Sequence, residues 1–141
     1  MTELLHRVRV FVYRFDSGEP QYLLLRAPTG IEACWTPLHA PLGFGEQLES
    51  AIRRGVIEDT GLGRPNHLID LDMTSRTLFG DEEVIEWNYG LLPSGSTDAV
   101  NLREERWSEF RWEGFGNAYP KLEFETDRAA ILRLHTMLHA G

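Results

Sequence analysis

Residues 7–15 alternate, with Val8, Val10 and Val12 on one side and Arg9, Phe11 and Tyr13 on the other, the period-two pattern of a strand. Asp16-Ser17-Gly18-Glu19-Pro20 carries turn chemistry, so residues 21–26 return as the second strand of a hairpin. Ala27-Pro28-Thr29-Gly30 breaks the chain again, and 33–38 reads as a short extended piece that delivers Trp35. The period then changes. Leu48, Ala51, Ile52 and Val56 recur at helical spacing and make one apolar stripe. Gly61 is placed to stop that helix, because glycine enters the left-handed conformation without a Cβ clash.

After a loop at 63–66, the pattern predicts a long strand of mixed polarity from His67 to Phe79, an acidic turn at 80–83 and another strand over 84–92. Residues 93–106 are polar and contain Gly and Ser, a loop of the length that is often functional or mobile. Residues 107–112 read as a last strand and 114–120 as a short turn or helix. Thr126 reads as the N-cap of a helix running to about His139, with Ile131, Leu134 and Leu138 as its core stripe. Strands and helices do not alternate regularly, which predicts an α+β fold: a mixed sheet packed between helices, in a single domain over 1–141.

The first helix carries unusual charge. Glu58 and Asp59 lie in its last turn, where the helix dipole is already negative, so the pair is unfavourable unless a cation offsets it. A bound divalent metal is the simplest such cation. Positions 55, 58 and 59 are spaced to share one local surface, while Glu46 and Arg54 fall on a polar flank where they can brace it.

These residues resemble the signature of the Nudix hydrolases, G-x5-E-x7-R-E-U-x-E-E-x-G-U with U a bulky aliphatic. Glu46, Arg54, Val56, Glu58, Asp59, Gly61 and Leu62 fall on the pattern, Asp59 standing where the family has Glu. Two fixed positions depart from it. Ala40 stands at the opening glycine, and Gly55 replaces the Glu of the Arg-Glu pair. Leu38-His39-Ala40 replaces the family's Pro-Gly-Gly run, and Gly43 sits where a Glu is common. Outside the box, the strand 22–26, Trp35 eleven residues before Glu46, Glu109-Phe110-Arg111-Trp112 and Phe124-Glu125-Thr126-Asp127-Arg128 look like family features. The last two are most similar to the dATP or dihydroneopterin triphosphate pyrophosphohydrolase branch.

The resemblance implies a Nudix fold with a curved mixed sheet between helices. It also implies hydrolysis of the pyrophosphate link in a nucleoside diphosphate derivative, foremost a (deoxy)nucleoside triphosphate giving monophosphate and pyrophosphate. Glu58 and Asp59 would hold Mg²⁺ (or Mn²⁺), with Arg54 and Glu46 bracing the site. Mg²⁺ takes carboxylate oxygens and waters, and suits the charge on a pyrophosphate. Gly55 removes one carboxylate of the set. Either an acid from elsewhere completes the site, with Glu82, Glu83, Glu86, Glu104 and Glu105 as candidates, or the protein binds nucleotide with weak or no turnover. Arg26, Trp35 and His39 are candidate substrate contacts. Trp87, Trp112 and Tyr119 could also stack on a ring, though aromatic residues on strands are usually core.

At 141 residues and 42% hydrophobic, the chain is long enough for one core. A net charge of −8 argues against duplex nucleic acid as partner and leaves a small phosphorylated nucleotide compatible. The single Cys34 excludes an internal disulfide and reads as a buried small hydrophobe, which fits a reducing cytoplasm. His6, His67, His135 and His139 show no ligand spacing. Residues 1–7 lack the apolar run of a signal peptide, and no window has the length of a membrane span. A homodimer would follow family habit.

Overall fold

The computed structural model describes residues 3–28 and 34–139; the expected break at Thr29-Gly30 and the start of the extended piece at Ala33 lie outside them. In chain order the elements are β1 (Glu3–Asp16), β2 (Glu19–Arg26), β3 (Trp35–Thr36), β4 (Leu38–Pro41), α1 (Leu48–Thr60), β5 (Pro65–Phe79), β6 (Glu82–Pro93), β7 (Glu109–Gly114), α2 (Phe115–Lys121) and α3 (Glu125–His139). The strand expected at 107 starts at Glu109, because Trp107 is drawn into the core from the preceding loop. Thr126 is inside α3 rather than its cap: the Phe124 carbonyl already accepts from the Asp127 and Arg128 amides, so the helix begins before Thr126. No helix among the described residues is long and apolar enough to cross a membrane.

The strands form one mixed sheet in the order β3-β2-β1-β6-β5, with β4 also paired to β1 and β7 to β2. β1 runs parallel to β6; the other pairings are antiparallel. Along one edge β1 changes partners. Arg7 to Val10 pair with β4, whereas Tyr13 to Asp16 pair with β2 across the tight turn at Ser17-Gly18, so the sheet forks there. Both turn residues have positive φ, the geometry that matches the twist of a two-residue hairpin.

The alternation in β1 is buried on both faces. Val8, Val10 and Val12 pack with Leu38, Ala40, Leu91 and the α1 stripe of Ala51, Ile52 and Val56. Phe11 and Tyr13 pack with Tyr22, Leu24 and the α2–α3 layer of Ala118, Leu122, Ala130, Ile131 and Leu134. Each large apolar side chain fully removed from water contributes roughly 1.5–3 kcal/mol. The helix–sheet–helix layering follows from burying both faces of one strand. It also has a consequence for function, since Arg7 and Arg9 continue the Phe11–Tyr13 side and must be met by partners there.

Candidate functional site

The loop between β6 and β7 is fastened to the end of α1. The Asn101 amide donates to the Thr60 carbonyl at 2.8 Å and the Arg103 amide to the Asp59 carbonyl at 2.9 Å. Carbonyls that the last helical turn leaves without intrahelical partners are thereby satisfied. The Arg106 and Trp107 amides both donate to the Arg103 carbonyl at 3.0 Å, a turn that aims three side chains back at α1.

Those side chains decide the fate of the box carboxylates. Asp59 is buried, and its Oδ2 accepts from Arg106 Nη1 at 2.7 Å and Trp107 Nε1 at 3.1 Å. Arg106 Nη2 donates onward to the His39 carbonyl at 2.9 Å. Glu58 is half-exposed with Arg103 Nη1 at 3.7 Å, and the same nitrogen is 3.8 Å from Asp59 Oδ1, so the two carboxylates flank one guanidinium. Of the positions expected to share one local surface, 55 and 59 are buried and 58 is exposed at its edge. The cation that the acidic helix end requires is present as guanidinium.

Gly55 and Ala40, the two departures from the signature, touch each other. A methyl at Gly55 would lie 3.2 Å from the Ala40 Cβ and 3.8 Å from Leu38 Cδ2. The glycine lets α1 sit close on β4, and the position carries no carboxylate; any side chain there would press its Cβ on Ala40. Among the described residues no three His, Cys, Asp or Glu side chains gather as a metal site. One engaged carboxylate beside a guanidinium does not fit a divalent ion, which takes several oxygen ligands.

Glu46 and Arg54 are brought together. Arg54 Nε donates to Glu46 Oε2 at 3.1 Å, while its Nη2 donates to Oε1 and to the Pro41 carbonyl, each at 2.9 Å. Glu46 also accepts from the Gly43 amide at 2.9 Å. Arg54 and that amide hold the Glu46 carboxyl below the usual range. The pair ties the box turn to its helix across a solvent-facing flank.

A cleft of about 320 Å³ opens beside this junction, lined among others by Arg7, Arg9, His39, Glu86, Arg106 and Trp107. Arg9 is buried and makes a two-bond pair with Asp127, Nε to Oδ1 at 2.8 Å and Nη2 to Oδ2 at 2.6 Å. Its Nη1 donates to Glu86 Oε2 at 3.0 Å, and Arg7 reaches the same oxygen at 2.7 Å. Burial opposes charge on Arg9, but Asp127 and Glu86 outweigh it and raise its pKa. Glu86 is likewise buried, and Arg9 and Arg7 still hold it ionised, below the usual carboxylate range. His39 is pushed well below the ordinary histidine value, first by burial and then by Arg9, Arg7 and Arg106, so its ring is neutral. Its face meets Trp107 edge-on at 5.1 Å.

Of the three expected substrate contacts, only His39 lines this cleft. Arg26 lies 3.6 Å from Glu109 and above Trp35, and Trp35 packs between the Arg26 and Arg111 guanidiniums and against the α2–α3 core. Trp87 stacks on His6, Trp112 lies under Arg14, and Tyr119 packs on Phe115. Among the candidate acids, Glu86 is sequestered by two arginines and Glu83 pairs with Arg76 at 2.8 Å, whereas Glu105 lines the cleft with its side chain 80% exposed and one oxygen accepting from Arg103 Nε at 3.1 Å. Glu82 and Glu104 do not line it.

Sequence reasoning missed Arg7, Arg9, Arg106, Trp107 and Asp127. The signal for Arg9 was available: an arginine in phase with Phe11 and Tyr13 on a strand buried on both faces needs a carboxylate partner. Nothing comparable marked Arg106, whose partner is 47 residues away.

Neither a scan against protein-family models nor a search of curated proteins finds a match. Solved structures do match. A Caenorhabditis elegans Ap4A hydrolase binary complex is 18% identical with a TM-score of 0.77, covering 97% of this chain and 99% of that one. The Nudix domain of Shewanella oneidensis NrtR, complexed with ADP ribose, is 15% identical with a TM-score of 0.78, covering 98% and 90%. The Escherichia coli dihydroneopterin triphosphate pyrophosphohydrolase is 17% identical with a TM-score of 0.74, covering 94% and 95%. A likeness of this extent at such low identity carries architecture, and with the mixed sheet set between α1 and α3 it establishes that this chain has the Nudix hydrolase fold.

Proposed function

We propose that the cleft binds a nucleoside diphosphate derivative, and that the chain is a nucleotide-binding protein on a hydrolase scaffold whose turnover is weak or absent. The observation that carries this reading is the engagement of Asp59 by Arg106 and Trp107 on the cleft wall. Arg7 and Arg106 offer partly exposed guanidiniums for phosphate oxygens, which planar forks suit. Trp107, Phe124 and the neutral His39 supply apolar wall beside them. The neighbour complexed with ADP ribose supports the ligand class.

A second reading keeps hydrolysis of a (deoxy)nucleoside triphosphate to monophosphate and pyrophosphate, and Glu105 favours it as an exposed cleft carboxylate able to take a proton from water. The Mg²⁺ or Mn²⁺ that the resemblance implies has no assembled ligand set at Asp59. Calorimetric titration with ADP ribose, dinucleoside polyphosphates and nucleoside triphosphates, in EDTA and in Mg²⁺, is paired with phosphate and pyrophosphate release. Binding that persists in EDTA without release supports the first reading. Metal-dependent release that Glu105→Gln lowers about 10²–10⁴-fold supports the second. No binding in either condition refutes both.

A further inference from the structure

The Arg106 guanidinium donates to a carboxylate oxygen of Asp59 at 2.7 Å and to the backbone carbonyl of His39 at 2.9 Å, with the His39 ring Nδ1 at 3.4 Å. The two oxygens are hard, anionic or strongly dipolar, the kind that hold a divalent cation. They come from the last turn of α1 and from β4, the two elements that Gly55 brings close together. The third carboxylate of the box is absent at Gly55, whose backbone lies close against Ala40. Arg106 arrives on a loop whose backbone is bonded to α1 through Asn101 and Arg103, which brings its side chain to Asp59. Arg103 adds a second positive head within 4 Å of both Glu58 and Asp59.

We propose that Arg106 is the resident cation of this site, covalently built in where the resemblance expects a divalent metal, so that Asp59 holds guanidinium and excludes Mg²⁺ and Mn²⁺. The proposal rests on the reading of the cleft as a phosphate-binding site for what Arg106 then meets: a ligand phosphate approaches a fixed fork rather than a metal and its waters. With Arg106 on one Asp59 oxygen and Arg103 near the other, the carboxylate is already neutralised on both sides. The trade also has a chemical consequence. Guanidinium neutralises phosphate charge, but unlike a divalent metal it binds and activates no water, so it supplies no hydroxide at neutral pH.

The test is Mn²⁺ titration without nucleotide, reading the free-ion signal by electron paramagnetic resonance, on wild type, Asp59→Asn, Arg106→Ala and the Asp59→Asn/Arg106→Ala pair. Wild type and D59N are expected to take up Mn²⁺ alike, with no saturable site. R106A is expected to gain a saturable site, with Mn²⁺ uptake at sub-millimolar free ion at least about tenfold above wild type, which the double variant lacks. A saturable wild-type site that D59N abolishes would overturn the proposal, as would R106A and the double variant binding alike. Where R106A does not fold, Arg106→Gln takes its place, and a saturable wild-type site that D59N abolishes still overturns the proposal. Because no nucleotide is present, failure here is separate from failure of the ligand assignment.

Discussion

Substituting Gly55 by Ala poses two effects of opposite sign at one atom. In a helix interior, alanine is more favourable than glycine by about 1 kcal/mol. The added methyl, however, would stand 3.2 Å from the Ala40 Cβ, where carbon pairs prefer about 3.5–4.0 Å. Both Cβ atoms are fixed to backbone, so neither can swing away and α1 must lift from β4 by a few tenths of an ångström. Overpacking of this kind costs about 1–3 kcal/mol. The expected net result of G55A is between no change and a loss of about 2 kcal/mol. In an Ala40→Gly background the obstruction is gone, and the same substitution should stabilise by about 1 kcal/mol. Urea denaturation of the four proteins gives the coupling energy directly, expected at about 1–3 kcal/mol. Additivity within about 0.3–0.5 kcal/mol would refute the contact as the reason the two signature departures occur together.

Two further outcomes follow from the arginine cluster and its histidine. Arg9→Met leaves the fully buried Asp127 without its guanidinium and should cost about 3–5 kcal/mol in urea denaturation, with Arg9→Met/Asp127→Leu recovering most of it; a loss below about 1 kcal/mol would mean that the pair contributes little. His39 should make stability fall on the acid side: its folded pKa is depressed, so below about pH 6.5 the unfolded chain binds a proton that the folded chain refuses, at up to ~1.4 kcal/mol per pH unit. Stability at about pH 7.5 and about pH 5.5 should differ less in His39→Gln than in wild type, the remainder coming from His135, which burial and His139 also depress; an unchanged difference in H39Q would refute the assignment.

The architecture was legible because periodicity reports burial, and burial here is simple. The alternation of β1, the stripe of α1 and the turn residues at 16–20 each name a face, and the faces assemble in only one compact way around a strand covered on both sides. The site was half legible for a reason of range. Glu46 and Arg54 are within one turn-helix unit, so local geometry brings them together and their spacing states it. Electrostatics along the same helix also stated, correctly, that the Glu58–Asp59 end needs a positive charge. It could not state which one. A metal ion and an arginine satisfy the same field, and the difference between them lies in a loop whose path is set by backbone bonds to Thr60 and Asp59 rather than by any pattern in its sequence. Gly55 was the local clue. A residue that lowers helix propensity in a buried interior is compensated by contact, here the close approach of α1 to Ala40, and it takes one carboxylate out of the set. The buried charge on Asp59 still has to be met, and Arg106 is the group that the fold places against it.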